Sequence, residues 1–198
     1  GSVLNRCTAW HAQANGVLRI ASADPTHPTE IVAGAVVLAC GAYERQIPFE
    51  GWTLPGVVTG GNALHLAATD GTALGRRTVV AGSGPFLLPV ACELLRLGVQ
   101  VQAVLESGHP YRPSGASVRA GLSASMLRDF LAYRGRLLAR GVPVLQGWRV
   151  LRAEGGAEVE QVTAVNAGLE RSWTVDHLVV GHGFRPATEL ARSVGLET

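Results

Sequence analysis

The sequence contains no lysine. All 17 of its positively charged residues are arginines, which excludes a phosphate-gripping Walker lysine, a Schiff-base lysine and a lysine general base. The net charge is only +2 and the arginines are scattered, with Arg76-Arg77 the sole adjacent pair. A nucleic-acid surface needs a denser basic stripe with aromatics beside it, so no nucleic-acid partner is expected. Cysteine is scarce as well. Cys7, Cys40 and Cys92 form neither a Cys-x-x-Cys pair nor a zinc spacing, which removes dithiol chemistry and leaves buried structural thiols as the expectation. Long hydrophobic runs are also missing. The longest, Ile31 to Ala42, falls short of the roughly 20 residues of a membrane helix. With no secretion signal in view, a cytoplasmic protein without a membrane partner is expected. No Gly-x-Ser-x-Gly elbow is present, which removes the simplest hydrolase reading. His65 has no metal ligand at suitable spacing, so no metal site is assigned.

What is present is apolar and rich in glycine. With 47% hydrophobic and 16% charged residues, the 198-residue chain can bury a core, and its 25 glycines suit turns and close backbone approaches. The first forty residues read as short strands. Arg6 to Ala14 and Val17 to Ser22 flank an Asn15-Gly16 hairpin turn, and a further strand pair is expected across Ile31 to Cys40. A connector follows, punctuated by Pro48, Gly51, Pro55, Gly56 and Gly60-Gly61, and then a short helix near Asn62 to Thr69.

From Thr78 the pattern becomes strand, glycine turn, helix, strand. Thr78 to Ala81 is a buried-strand run, Pro89 to Leu97 is amphipathic and stops at Gly98, and Val99 to Leu105 leads into Glu106. This is a βαβ opening, from which parallel sheets are wound. A loop with Pro110, Pro113 and Gly115 precedes a helix from about Leu122 to Arg140, whose Met126, Leu127, Phe130, Leu131, Leu137 and Leu138 share a face. Strands are expected at Val142 to Leu145, Trp148 to Ala153, Val159 to Val165, Arg171 to Val175 and Asp176 to His182. Val36 to Ala42 and Leu178 to Phe184 echo one another, since both are apolar runs that break at glycine after short antiparallel strands. The echo suggests two related nucleotide-binding units, one nested within the other.

The motif that carries chemistry is Gly82-Ser83-Gly84-Pro85-Phe86-Leu87, between a strand and a helix. The first glycine permits the tight turn, and the second lets backbone N–H groups approach a pyrophosphate at the helix N-terminus. Leu87 stands where the usual pattern has a third glycine, so the helix is expected slightly further from the strand. Glu106, 24 residues after Gly82, ends the second strand, where a carboxylate can accept both ribose hydroxyls and repel a 2′-phosphate. A purely structural turn with a solvated Glu106 is the other reading of the same residues.

The stretches LACGAYERQIPFEGWTLPGVVTGGNAL, from Leu38, and VVAGSGPFLLPVACELLRLGVQVQAVLE, from Val79, resemble the FAD-dependent pyridine nucleotide-disulfide oxidoreductase superfamily. The resemblance runs over nearly the whole chain and is most specific at Pro48 to Val57. Within the superfamily it points to the amine-oxidising branch of opine oxidase, hydrogen cyanide synthase and proline dehydrogenase α subunits. It implies an α/β fold in which a Rossmann-like nucleotide-binding domain, a parallel sheet with a β-meander over residues 75–175, is nested in a partial FAD-binding domain of residues 1–74 and 176–198. It places Gly41, in Cys40-Gly41-Ala42, at the turn beside FAD, with Cys40 where threonine is usual. Gly82, Ser83, Gly84, Pro85 and Glu106 fall on the motif of the inner domain, and Gly181-His182-Gly183 on the turn that leaves it.

Two FAD-gripping parts of the family, an N-terminal Gly-x-Gly-x-x-Gly and a late Gly-Asp, are not in the sequence. A fragment with an incomplete FAD site, inactive alone, is therefore expected. The resemblance implies FAD in the parent protein and NAD(H) or another adenine nucleotide in the inner domain. It also implies a small-molecule amine or amino-acid-like substrate and a partner oxidoreductase subunit. Two alternatives stay open: an NADH-dependent flavin reductase domain, and a non-catalytic adenine-nucleotide-binding or subunit-docking module. No catalytic acid or base is assigned. For His182, Trp52, Arg185-Pro186 and Tyr43-Glu44-Arg45, contact with a nucleotide or flavin competes with ordinary structural roles.

Overall fold

The computed structural model describes residues 1–70, 77–108 and 124–197. Arg76, the loop residues Pro110, Pro113 and Gly115, Leu122 and the side chains of Met126 and Leu127 lie outside what is described. The strands are β1 (Cys7–Ala12), β2 (Val17–Ser22), β3 (Glu30–Val32), β4 (Ala42–Glu44), β5 (Val57–Thr59), β6 (Thr78–Gly82), β7 (Val101–Glu106), β8 (Val144–Gln146), β9 (Arg149–Glu154), β10 (Gln161–Asn166), β11 (Leu169–Thr174), β12 (His177–Gly181) and β13 (Phe184–Pro186). The helices are α1 (Gly60–Asp70), α2 (Leu87–Arg96), α3 (Ala124–Ala139) and α4 (Glu189–Ser193). The chain divides into two compact units, one of Gly1–Tyr43 with Phe184–Thr198 and one of Glu44–Gly183.

In the first unit, β1, β2 and β3 form an antiparallel meander. The Asn15-Gly16 turn joins β1 to β2 as expected, with the Gly16 N–H donating to the Gln13 carbonyl at 3.0 Å. The strand pair expected across Ile31 to Cys40 does not form. Only Glu30–Val32 is strand, while Val36, Val37 and Leu38 are 39%, 92% and 36% exposed. A strand is held by a neighbour that takes its N–H and C=O groups, and among the described residues none pairs with this run.

The second unit is built on a five-stranded parallel sheet in the order β5-β12-β6-β7-β8. Its strands read as continuous apolar runs because both faces are covered. Successive residues alternate between the two faces. Val80, Val104 and Val179 pack with Leu94 of α2 and Leu137 of α3 on one side. Val79, Leu105 and Leu178 pack on the other side with Val162 and Trp173 of the antiparallel meander β9-β10-β11. Trp148 meets Trp173 edge-on, with centroids 5.8 Å apart, in the geometry aromatic pairs prefer.

Helices α2 and α3 end alike. Gly98 and Val99 donate to the carbonyls of Leu95 and Leu94, and Gly141 and Val142 to those of Leu138 and Leu137, each the paired C-terminal motif that satisfies orphan carbonyls. The fold class is the expected one, an α/β protein with a Rossmann-like parallel sheet and a meander. The three cysteines depart from expectation. Cys7 and Cys92 are half-buried and Cys40 is exposed.

Candidate nucleotide-binding site

Strand β6 delivers the chain to Gly82, which stands opposite Gly181 of β12 and Glu106 of β7. The backbones at Gly82 and Gly181 approach so closely that a Cβ on Gly82 would lie 1.7 Å from the Gly181 carbonyl oxygen. With φ at +148° as well, only glycine fits. The Ser83 N–H donates to the Gly181 carbonyl and the Ser107 N–H to the Gly82 carbonyl, both at 2.8 Å. These bonds stitch the turn to the strands on either side.

Gly84 differs. Its φ is +104°, yet a Cβ there would meet nothing within 4 Å among the described residues. The space over Gly84 is therefore open to a ligand, whereas the space at Gly82 is filled by protein. Pro85 follows with no N–H of its own.

Glu106 is only 2% exposed. Its Oε2 accepts the Gly84 N–H at 2.9 Å and its Oε1 the Gly108 N–H at 3.0 Å. The acid is thus not a solvated charge. It holds the glycine turn and its own strand end together, and those two bonds offset the cost of burying a carboxylate.

Leu87 resolves the departure from the glycine pattern. It is buried, and its Cδ2 lies 3.2 Å from the place a Cβ on Gly181 would take. The helix side chain occupies room that a glycine on the neighbouring strand leaves free. Leu87 in place of glycine was the only signal of this exchange in the sequence, and the role of Gly181 in it was not legible there.

A cleft of about 410 Å³ opens at the carboxyl ends of β6, β7 and β12, lined in part by Gly82, Ser83, Ser107, Arg149, Val180 and His182. In open α/β sheets ligands bind at this end of the strands. Ser107 and Arg149 carry no signal in the sequence, because each sits outside the glycine motif. The His182 Nδ1 is buried and, among the described residues, has no hydrogen-bond partner. Burial pushes the His182 imidazole below its usual range, and the nearby Arg45 cation adds to the shift. One polar atom of this ring thus stands without a partner among the described residues, at the cleft.

Gly82, Ser83, Gly84, Glu106, Gly181 and His182 are thus brought together, with Pro85 next in the turn. Gly183 has its carbonyl taken by the Arg45 N–H at 2.8 Å. Gly41 lies in the other compact unit, where its carbonyl accepts the Ala187 N–H at 3.0 Å. Glu44 takes a structural role, its Oε1 accepting the Gly61 N–H in the first turn of α1 at 2.8 Å. Arg185 makes an exposed ion pair with Glu189 at 3.8 Å. Trp52 is exposed.

The open approach at Gly84, the orphaned His182 Nδ1 and the cleft at the strand ends suit a dinucleotide. Residues 3–198 match the family model described as pyridine nucleotide-disulphide oxidoreductase. The chain belongs to that family. Among its relatives, the hydrogen cyanide synthase subunit HcnB of Pseudomonas aeruginosa is 37% identical over 179 residues, covering 85% of this chain and 38% of that protein. An opine oxidase subunit of Agrobacterium tumefaciens is 33% identical, covering 98% of this chain and 40% of that protein. A FAD-dependent pyridine nucleotide-disulphide oxidoreductase from Desulfovibrio vulgaris superposes with a TM-score of 0.63 at 25% identity, over 97% of this chain and 46% of that one. The chain spans less than half the length of each. The family's description names a pyridine nucleotide and the Desulfovibrio vulgaris protein is FAD-dependent, which supports the two cofactors implied by the sequence. Among the described residues, no helix is long and apolar enough to cross a membrane.

Proposed function

We propose that the chain is the nucleotide-binding core of a FAD/NAD(P)-dependent oxidoreductase whose whole protein oxidises an amine or amino-acid-like substrate. Residues 75–175 form the inner nucleotide domain, and residues 1–74 and 176–198 belong to the FAD-binding domain. One observation supports the nucleotide assignment: among the described residues the space over Gly84 is open, in a turn that the buried Glu106 holds by accepting the Gly84 N–H. In this reading Gly82, Ser83, Gly84 and Pro85 cradle the pyrophosphate, and Glu106 fixes the loop beside the ribose and disfavours a 2′-phosphate. His182 lines the cleft, in the Gly181-His182-Gly183 turn that leaves the inner domain, and Gly41 belongs to the turn that would stand beside FAD. When bound, FAD supplies the hydride acceptor. The chain's own residues position the dinucleotide and exclude water. The amine substrate is supported by the names of the hydrogen cyanide synthase and opine oxidase relatives, as is a partner oxidoreductase subunit, since both are named as subunits.

Calorimetric titration of the purified chain with NADH, NADPH, ADP and FAD tests the site. NADH or ADP binding that weakens in Glu106→Gln supports it. No binding at about millimolar ligand, a threshold of roughly −4 kcal/mol, removes it. Reduction of added flavin by NADH would instead favour the flavin reductase reading, and ADP binding without hydride transfer the docking-module reading.

A further inference from the structure

Away from the nucleotide cleft, the first compact unit carries a second cluster of reactive side chains. Cys7 on β1 stands directly opposite Ser22 on β2, and the loop after β2 folds His27 back onto both. The Cys7 Sγ lies 3.0 Å from the His27 Nδ1, and the Ser22 Oγ lies 2.9 Å from the same nitrogen. On the far side of the ring, the His27 Nε2 is 3.8 Å from the Asp24 Oδ2. The Asp24 Oδ1 accepts the Thr26 N–H and hydroxyl at 2.9 and 2.7 Å, and the Asp24 carbonyl accepts the His27 N–H at 3.2 Å. The loop is therefore pinned, and the imidazole is largely buried, with 19% of its side chain exposed.

Proton counting narrows what this cluster can do. A carboxylate near Nε2 favours the tautomer with its hydrogen there, which leaves a lone pair on Nδ1. One lone pair takes one donor, and two compete for it. In one arrangement the Ser22 hydroxyl donates to Nδ1, and the Cys7 thiol turns to the Asn5 carbonyl, 3.4 Å away. In the other, the Cys7 thiol donates to Nδ1 directly, which is the nucleophile–base–orienter geometry of an activated cysteine.

We propose that Cys7, with His27 as its base and Asp24 orienting the ring, is a peroxide-reactive thiol and a site of reversible sulfenic acid formation. The His27 Nδ1 takes the thiol proton as sulfur attacks one oxygen of hydrogen peroxide. The S–O bond forms as the O–O bond breaks, and the departing hydroxide recovers the proton as water. Sulfur is oxidised by two electrons and peroxide reduced by two, so thiol and peroxide give sulfenic acid and water. Ser22 acts as a brake, since it holds the base for part of the time.

The test treats the purified chain with hydrogen peroxide, traps sulfenic acid with dimedone, and reads each cysteine separately by peptide mass spectrometry. Cys40, exposed and, among the described residues, outside any such cluster, is the internal standard. Half-buried Cys92, in the other compact unit and with its thiol facing the Tyr133 carbonyl at 3.6 Å, is a second standard. Cys7 is expected to react roughly tenfold faster than Cys40, short of the ~10²–10⁴ of an enzyme's general base because nothing orients the peroxide. His27→Asn is expected to bring Cys7 to the Cys40 rate with Cys92 unchanged. Ser22→Ala is expected to raise the Cys7 rate about twofold, the gain when a base shared between two equally populated arrangements is released to one. A Cys7 no faster than Cys40, or a rate indifferent to both substitutions, overturns the proposal. A disturbed fold of the first unit would expose Cys7 in both variants and could not move its rate in opposite directions.

Discussion

The Glu106 Oε2 accepts the N–H of Gly84 at 2.9 Å, so the acid that ends one strand fixes the turn that ends its neighbour. The other oxygen takes the Gly108 N–H. Glu106→Ala is therefore expected to destabilise the chain as well as weaken nucleotide binding. Two N–H groups lose their acceptor, at about 1–3 kcal/mol each where buried. Glu106→Gln keeps one acceptor oxygen and should cost less. Urea denaturation of the three proteins, with the slope unchanged, measures both effects.

Glycine substitutions should separate structure from binding. Gly82→Ala forces a Cβ into the Gly181 carbonyl, and the shift this demands, beyond backbone strain of ~1–3 kcal/mol, is expected to part β6 from β12. Gly84→Ala meets no atom of the described residues and should fold with only the backbone penalty, while losing dinucleotide affinity. Circular dichroism and calorimetric titration on both variants check the contrast. Unchanged dinucleotide affinity in a folded Gly84→Ala would mean that the openness at Gly84 plays no part in binding.

Leu87 and Gly181 should behave as a coupled pair. Leu87→Ala empties a buried site and is expected to cost about 2–5 kcal/mol. Gly181→Ala crowds the Leu87 Cδ2. In the double variant the new methyl enters space the leucine has vacated, so the combined loss should be less than the sum of the two. A double-mutant cycle reads this directly, and strict additivity would show that the side chains do not share that space.

Acidification should weaken the fold through two histidines. Burial lowers His182, with Arg45 adding to the effect, and burial also lowers His177, against partial opposition from Asp176 and Glu158. Each folded-state value then lies below that of the unfolded chain, near 6.5. The unfolded chain takes up protons first as pH falls, so stability held at neutral pH is lost on crossing that value downward. The melting temperature is expected to drop between about pH 7.5 and about pH 5.5, and by less in His182→Asn. An identical drop in the variant would exclude His182 as a source.

Much of the fold was legible because its signals are local. The Asn15-Gly16 turn, the glycine stops at Gly98 and Gly141, and the apolar runs of β6 and β12 each declare themselves within a few residues. The failures were of the opposite kind. Val36 to Leu38 has the composition of a buried strand, but strand formation depends on a neighbour, which no local pattern records. The short strands β4, β5 and β13 carry too few residues for a period to show. At the site, Gly82, Gly84 and Glu106 follow a spacing rule and could be named in advance. That Glu106 would be buried and bonded to the turn itself, and that Leu87 would lean on Gly181, depends on contacts between distant segments.

The place of β12 in the sheet has a consequence for how the protein is made. This strand pairs with β5 on one side and β6 on the other, yet it leaves the ribosome after every other strand of that sheet. Until residue 181 emerges, β5 has no partner in the sheet and β6 presents one naked edge, with Gly82 lacking the carbonyl it is shaped to meet. Such edges recruit other chains when their own partner is late. Chains stalled or cut short of His177 should therefore be chaperone clients and prone to association, and the arrival of the five residues of β12 should join β5 to β6 in one continuous sheet.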